Sequence, residues 1–153
     1  MSKFWLMKSE PGVYSIEDLK KDGNTHWEGV RNYQARNLMR DEMKVGDAVL
    51  FYHSNATPTG VAGLARVSRE AYPDFTCWDS QSRYFDPKST ESEPRWVMVD
   101  IEFVEAFDRI VTLEEIRTES ALSSMPLVNR SRLSVQPVTR KEFEMIVQMG
   151  RNG

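Results

Sequence analysis

Apolar residues recur along the chain in two rhythms, alternating runs of strand type and three-to-four spacings of helix type. Residues 3–8, Lys-Phe-Trp-Leu-Met-Lys, form a short aromatic-rich run closed by Ser9-Glu10-Pro11-Gly12, the pattern of a buried strand. Ser15-Ile16-Glu17-Asp18 then opens a short helix, with Ser15 as N-cap and Gly23 just past its end. Residues 25–30 predict a second extended piece, and Asn32 caps a helix reaching about Met43. In that helix Ala35, Leu38, Met39 and Met43 share one apolar face. A turn at 44–47 leads into a strong strand at 48–53, then a polar loop, then a strand over 61–70. Gly60 and Gly63 there imply close backbone approach or a bulge.

The second half continues in the same manner. Residues 72–94 are rich in Pro, Asp and Ser yet hold Phe75, Trp78, Tyr84 and Phe85, too many rings for a disordered linker. They predict an ordered, ligand-facing loop. In 95–107, Val97, Val99, Ile101 and Phe103 alternate with Met98, Asp100 and Glu102, giving one buried and one wetter face. Thr112-Leu113-Glu114-Glu115 is a capping box, a further helical turn falls at 121–125, and 129–136 is extended with Arg130, Arg132 and Ser134. A last capping box, Thr139-Arg140-Lys141-Glu142, starts a helix whose Phe143, Ile146 and Val147 face the core. Five or six strands with short helices between them do not follow a βαβα rhythm. The expected class is α+β, a small mixed β-barrel or half-barrel edged by helices. A single domain over 1–150 with a tail at 151–153 is expected.

Composition narrows the function classes. The 153 residues are 40% hydrophobic and 28% charged, ordinary for a soluble globular chain. No apolar run approaches a membrane span and no secretion signal opens the chain, so a cytoplasmic monomer away from membranes is expected. Net charge −3 and pI near 5.5 exclude a protein that coats long nucleic acid, which needs a strongly basic surface. A nucleic-acid role would rest on a local pocket with a small basic rim. Cys77 is the sole cysteine, so no internal disulfide forms; beside only His26 and His53 it predicts no zinc cage, and no cofactor is expected.

The candidate chemistry gathers at residues 27–37, Trp-Glu-Gly-Val-Arg-Asn-Tyr-Gln-Ala-Arg-Asn. An extended piece carrying Trp27 meets the Asn32-capped helix there. A ring, backbone N–H groups and the guanidinium groups of Arg31 and Arg36 can converge on one volume. That suits a nucleobase with its phosphate. The alternative is that Trp27 and Tyr33 fill core while the arginines face solvent. Two enzymatic patterns are incomplete: His26-Trp27-Glu28 is the H-x-E half of a zinc deaminase signature without its P-C-x-x-C half. His53 and Ser54 are neighbours in a strand and so point apart. His53 at a strand end also reads as a structural histidine.

Several stretches together resemble the EVE domain family. They are Phe4-Trp5-Leu6-Met7-Lys8-Ser9-Glu10-Pro11, the whole of 27–37, Val45-Gly46-Asp47 and Phe51-Tyr52-His53-Ser54, with Tyr72-Pro73-Asp74, Asp86-Pro87-Lys88, Pro94-Arg95-Trp96 and Ser131-Arg132-Leu133-Ser134-Val135 in order. The resemblance implies a PUA-like mixed β-barrel with peripheral short helices, distantly shared with YTH readers of methylated adenine. It further implies a non-catalytic module that receives a flipped modified base, chiefly a modified cytosine in DNA. Carried over by position, the pocket draws on Lys8, Ser9, Trp27, Val30, Arg31, Asn32, Tyr52, His53, Ser54, Arg132, Leu133 and Ser134, with Trp78 from the aromatic loop. Trp27 would stack on the base, Ser9 and Asn32 would read its edge, and Lys8, Arg31 and Arg132 would meet phosphates. The rival expectations are an RNA reader and, by analogy with ASCH domains, a hydrolase of an acylated pyrimidine using Lys8 with Glu10 or Glu28.

Overall fold

A computed structural model describes residues 3–129 and 132–152. Six strands form one sheet in the order β2-β5-β4-β3-β1-β6: β1 Phe4–Ser9, β2 Asn24–His26, β3 Ala48–His53, β4 Gly60–Pro73, β5 Val97–Thr112 and β6 Val135–Val138. β1 and β3 are parallel, with Phe4 opposite Ala48 and Ser9 opposite His53; the remaining pairs are antiparallel. Helices α1 Ile16–Asp22, α2 Tyr33–Asp41, α3 Leu113–Thr118, α4 Pro126–Asn129 and α5 Arg140–Arg151 surround it.

The helices cover both faces, which explains the unbroken apolar runs of β1 and β3. On one face Trp5, Met7, Val49 and Phe51 pack with Ile16 and Leu19 of α1 and Ala35 and Met39 of α2. On the other, Leu6, Leu50, Tyr52 and Val61 pack with Ile116, Leu122, Leu127 and Ile146. A strand buried on both faces reads as a continuous hydrophobic stretch rather than an alternating one. Asp47 joins strand to turn: buried, it accepts from the Lys3 N–H (3.0 Å), the Lys44 N–H (2.9 Å) and the Trp5 indole N–H (2.9 Å).

The α+β class and the short peripheral helices are as expected, but the sheet is open, not a closed barrel. Its two edges are poor partners for closure. β2 offers three residues, and β6 contains Pro137, which has no N–H to donate to a ladder. The predicted caps hold: Ser15, Thr112 and Thr139 each complete a capping box, and Asn32 caps α2. The extended piece expected over 25–30 pairs as strand only through His26, although the Trp27 N–H still donates to the Val99 carbonyl at 2.7 Å. Close backbone approach at Gly63 is also found, since a Cβ there would collide with the Glu105 carbonyl across a bulged β4–β5 ladder. Arg151 belongs to α5 and pairs with Glu105 at 2.6 Å, so it is not part of a tail.

Candidate functional site

Parallel β1 and β3 end side by side at Ser9 and His53, and a cavity of about 480 Å³ opens just beyond them. Sites at the carboxyl ends of parallel strands are a general feature of open sheets, because the loops that follow diverge there. Three backbone bonds fix the walls. The Lys8 N–H donates to the Ser134 carbonyl, and the Ser54 N–H to the Ser9 carbonyl, both at 2.9 Å. The Tyr14 N–H donates to the Glu10 carbonyl at 2.9 Å, and the Ser9 hydroxyl donates to the Tyr14 carbonyl at 2.6 Å, folding the 10–14 turn against β1. The segment from β2 to α2, carrying Trp27, makes the opposite wall.

Trp27 is 8% exposed, set edge-to-face on Phe51 at 5.5 Å. It is part of the core and of the cavity wall at once. Trp27 thus combines the two alternatives open in the sequence, whereas Tyr33, the other ring expected to fill core, is 51% exposed.

A buried carboxylate brings the aromatic loop to this wall. Asp74, fully buried, accepts from the Gly29 N–H (2.9 Å), Arg31 Nη1 (3.0 Å), the Thr76 N–H (2.9 Å) and the Thr76 hydroxyl. Arg31 also donates to the Tyr84 carbonyl through Nη2 (2.7 Å) and Nε (3.1 Å), and its guanidinium lies 5.4 Å from the Trp96 ring and 5.7 Å from the Tyr84 ring. The Trp96 indole donates to Asp86 at 2.7 Å and stacks on Tyr33 at 4.8 Å. Gly29 permits this closure: its φ is +84°, and a Cβ there would come within 2.6 Å of the Tyr84 ring. The loop is thus ordered, as expected, and Tyr84 with Arg83 forms part of the cavity.

Of the residues expected in the pocket, Lys8, Ser9, Trp27, Val30, Arg31, Ser54 and Ser134 line this cavity. The others are placed differently. Asn32 lies outside the lining, and its side-chain oxygen accepts from the Ala35 N–H at 2.9 Å, so its acceptor serves the helix cap. His53 is buried and its Nε2 accepts the Ile16 N–H at 3.1 Å, the structural role; burial lowers its pKa. Tyr52 turns to the second core, where burial pushes its phenol up to about 12. Leu133 is core beside Trp27, Arg132 is exposed outside the lining, and Trp78 closes a 3₁₀ turn, Phe75–Trp78, away from it. Arg130 and Ser131 lie outside the described residues. Arg31, expected on a phosphate, is instead turned into the clasp with Asp74.

Val13, Tyr14 and Asn55 are wall residues that the sequence did not single out, while Glu10 had entered only through the hydrolase expectation and Tyr84 only as one ring of the ligand-facing loop. The only signal for the first three was position, in loops following strands β1 and β3. Asn55 donates to Glu10 at 3.0 Å, and Tyr14 donates to Asp22 at 2.8 Å. Burial, then the Asp22 bond, raises Tyr14 to about 12. Burial holds Lys8 below its ordinary 10.5. His26 and Glu28, the H-x-E pair, stand 3.6 Å apart on the wall, while Cys77 is buried against Ser89 at 3.1 Å and does not line it. Among the described residues no three His, Cys, Asp or Glu side chains are grouped to hold a metal ion. The site therefore offers an aromatic wall, amide and hydroxyl groups, two carboxylates and a few cations in a space of small-molecule size, about 300–1,000 Å³.

The EVE domain family model matches residues 3–149. Mouse thymocyte nuclear protein 1 is 44% identical over 168 residues, spanning 97% of this chain and 74% of that protein. A structure of a hypothetical protein from Leishmania major superposes with a TM-score of 0.95 at 51% identity, covering 98% of this chain and 95% of its own. A crystal structure of human THYN1 in complex with 5-methylcytosine-containing DNA superposes with a TM-score of 0.91 at 43% identity, covering 97% and 98%.

Proposed function

This chain belongs to the EVE domain family, and from that footing we propose that it reads a modified base in DNA, chiefly a methylated cytosine, in the cavity beside Trp27. The observation that carries the proposal is the wall itself: the Trp27 indole, the hydroxyl-bearing Ser9, Ser54 and Ser134, and Lys8 gathered around one half-open cavity. The human relative solved with 5-methylcytosine-containing DNA supports the choice of ligand.

The energetics suit a reader of modest selectivity. Extruding a base costs a few kcal/mol, less from a single strand. Contact with aromatic walls returns roughly 1–3 kcal/mol per base, and the polar edges must supply the rest. A buried methyl adds about 0.8 kcal/mol, about fourfold in affinity. The module binds without converting its ligand. Of the groups a hydrolase would call on, Glu10 is engaged by Asn55 and Glu28 faces His26.

Titration with matched oligonucleotides carrying plain, methylated and hydroxymethylated cytosine, on DNA and on RNA backbones, tests this. Methylated DNA is expected to bind about fourfold or more tightly than plain DNA. Equal affinity for all three bases overturns the proposal. Tighter binding to the RNA series would make it an RNA reader, and release of acetate from acetylcytidine would make it a hydrolase.

A further inference from the structure

Lys8, Ser54 and Asn55 have cavities on two sides. Besides the space next to Trp27, they form part of the wall of a second hollow of about 530 Å³, completed by Tyr52, Ala56, Thr57, Thr59, Leu113 and Leu127. The two spaces thus share a wall that includes a lysine. The Lys8 Nζ lies 5.8 Å from the centre of the Tyr52 ring, at the root of the second hollow.

The chemistry of the second wall is mixed in a telling way. Half-buried Leu113, beside the buried Tyr52 and Leu127, supplies apolar surface, Thr57 and Thr59 supply hydroxyl groups, and the shared wall supplies a lysine. A nucleotide asks for those three things: surface for the faces of base and sugar, polar partners for its edges, and positive charge for its phosphate. A base in the first cavity is also never alone, since phosphodiesters tether it to its neighbours. Whatever occupies the space beyond Lys8 is one link further along the same strand.

We propose that the second hollow is a subsite for the nucleotide adjacent to the modified base, with the Lys8 ammonium holding the phosphodiester between the two. The proposal rests on the reading of the first cavity. It makes the recognised unit a dinucleotide, and it makes recognition directional, because the two hollows have unlike walls and only one strand polarity puts the neighbour beyond Lys8.

Amide NMR titrations of the ¹⁵N-labelled protein test it, with 5-methyldeoxycytidine and the two dinucleotides that carry methylcytosine at the 5′ or the 3′ position. The nucleoside should shift Trp27 and Gly29 and leave Ala56, Thr57 and Thr59 in place. One dinucleotide should shift both groups and bind roughly tenfold more tightly, the worth of one charge-assisted contact. That gain should fall with added salt. Ala56→Trp fills the second hollow; it should keep the nucleoside affinity and abolish the gain. Should that variant not fold, Thr57→Glu sets a repelling carboxylate on the same half-open wall. Dinucleotides that bind no better than the nucleoside, or a gain that survives in a folded filled variant, overturn the second subsite alone. Absence of binding by nucleoside and dinucleotides alike overturns the first-cavity reading, and this one with it.

Discussion

Replacing Asp74 by Asn asks whether a charge outside the cavity builds the cavity. Asp74 is not part of the lining, yet its buried carboxylate accepts four hydrogen bonds, from Gly29, Arg31 and both polar groups of Thr76. The amide has the same shape but one acceptor oxygen in place of two, and it turns an NH₂ group toward a donor. Removing one partner of a buried ion pair costs about 3–5 kcal/mol. Arg31 is 24% exposed and keeps its bonds to the Tyr84 and Val30 carbonyls, so water and those partners return part of that. The expected loss for Asp74→Asn is about 2–3 kcal/mol. With a urea slope of about 2 kcal/mol/M, the unfolding midpoint should fall by about 1–1.5 M at unchanged slope. Affinity for a methylated-cytosine oligonucleotide should fall as well, because the Tyr84 wall loosens. Arg31→Gln should lose comparable stability, and the double variant little more than either single one. A midpoint shift below about 0.3 M for Asp74→Asn refutes the clasp. So does an Arg31→Gln variant of native stability that loses only its affinity and part of its salt dependence, for then Arg31 serves phosphate.

Gly29→Ala should destabilise by at least about 1 kcal/mol from its left-handed backbone alone, and weaken oligonucleotide binding further by pushing Tyr84 away; calorimetric melting and a binding isotherm check both, and a variant unchanged in both would remove Tyr84 from the wall. Stability should drop as pH falls below about 6.5, the ordinary histidine value. Burial lowers the folded pKa of His53, so the unfolded chain binds the proton first and the loss accrues down to the folded pKa. Urea melts between pH 7.5 and 5 read this slope; His53→Gln should flatten it, and an unflattened slope assigns it to other groups.

Much of the fold was legible because its signals are local. The continuous apolar runs of β1 and β3 mark strands covered on both faces, and each S/T-x-x-[D/E] box begins a helix because the two side chains satisfy each other's backbone donors. The alternation seen in residues 97–103 held less well: Met98 is fully buried while Phe103 is half-buried, since β5 bends through several register shifts and no longer presents fixed faces. Sheet closure was not legible, as it depends on how far two edges of distant origin fall apart. At the site, Trp27 could be singled out by the motif around it. The partner of Arg31 could not, because Asp74 is 43 residues away and a local pattern does not say which way a guanidinium turns. Asn32 carried a conflict within the sequence itself. It was expected both to cap α2 and to read a base edge; its side-chain oxygen makes the cap to the Ala35 N–H, and the residue lies outside the cavity lining.

The same reassignment of Arg31 fixes how the chain should respond to salt. Three cationic side chains line the cavity, Lys8, Arg31 and Arg83, against the carboxylates Glu10 and Glu28. Arg31 is turned to Asp74, and the phosphate contacts expected in the cavity are those of Lys8 and Arg83. Each neutralised phosphate of a duplex contributes about −0.9 to the slope of log K against log salt, so a slope of about −2 is expected, a loss of roughly tenfold between 50 and 200 mM. A net charge of −3 provides no general attraction to steepen it. Binding isotherms at four or five salt concentrations, on methylated and plain duplexes, decide the matter. Parallel shallow lines would place discrimination in contacts with the base itself, which neutralise no phosphate and so do not depend on salt. A slope steeper than about −5 would require a basic surface away from the cavity and would move the seat of affinity off the Trp27 wall.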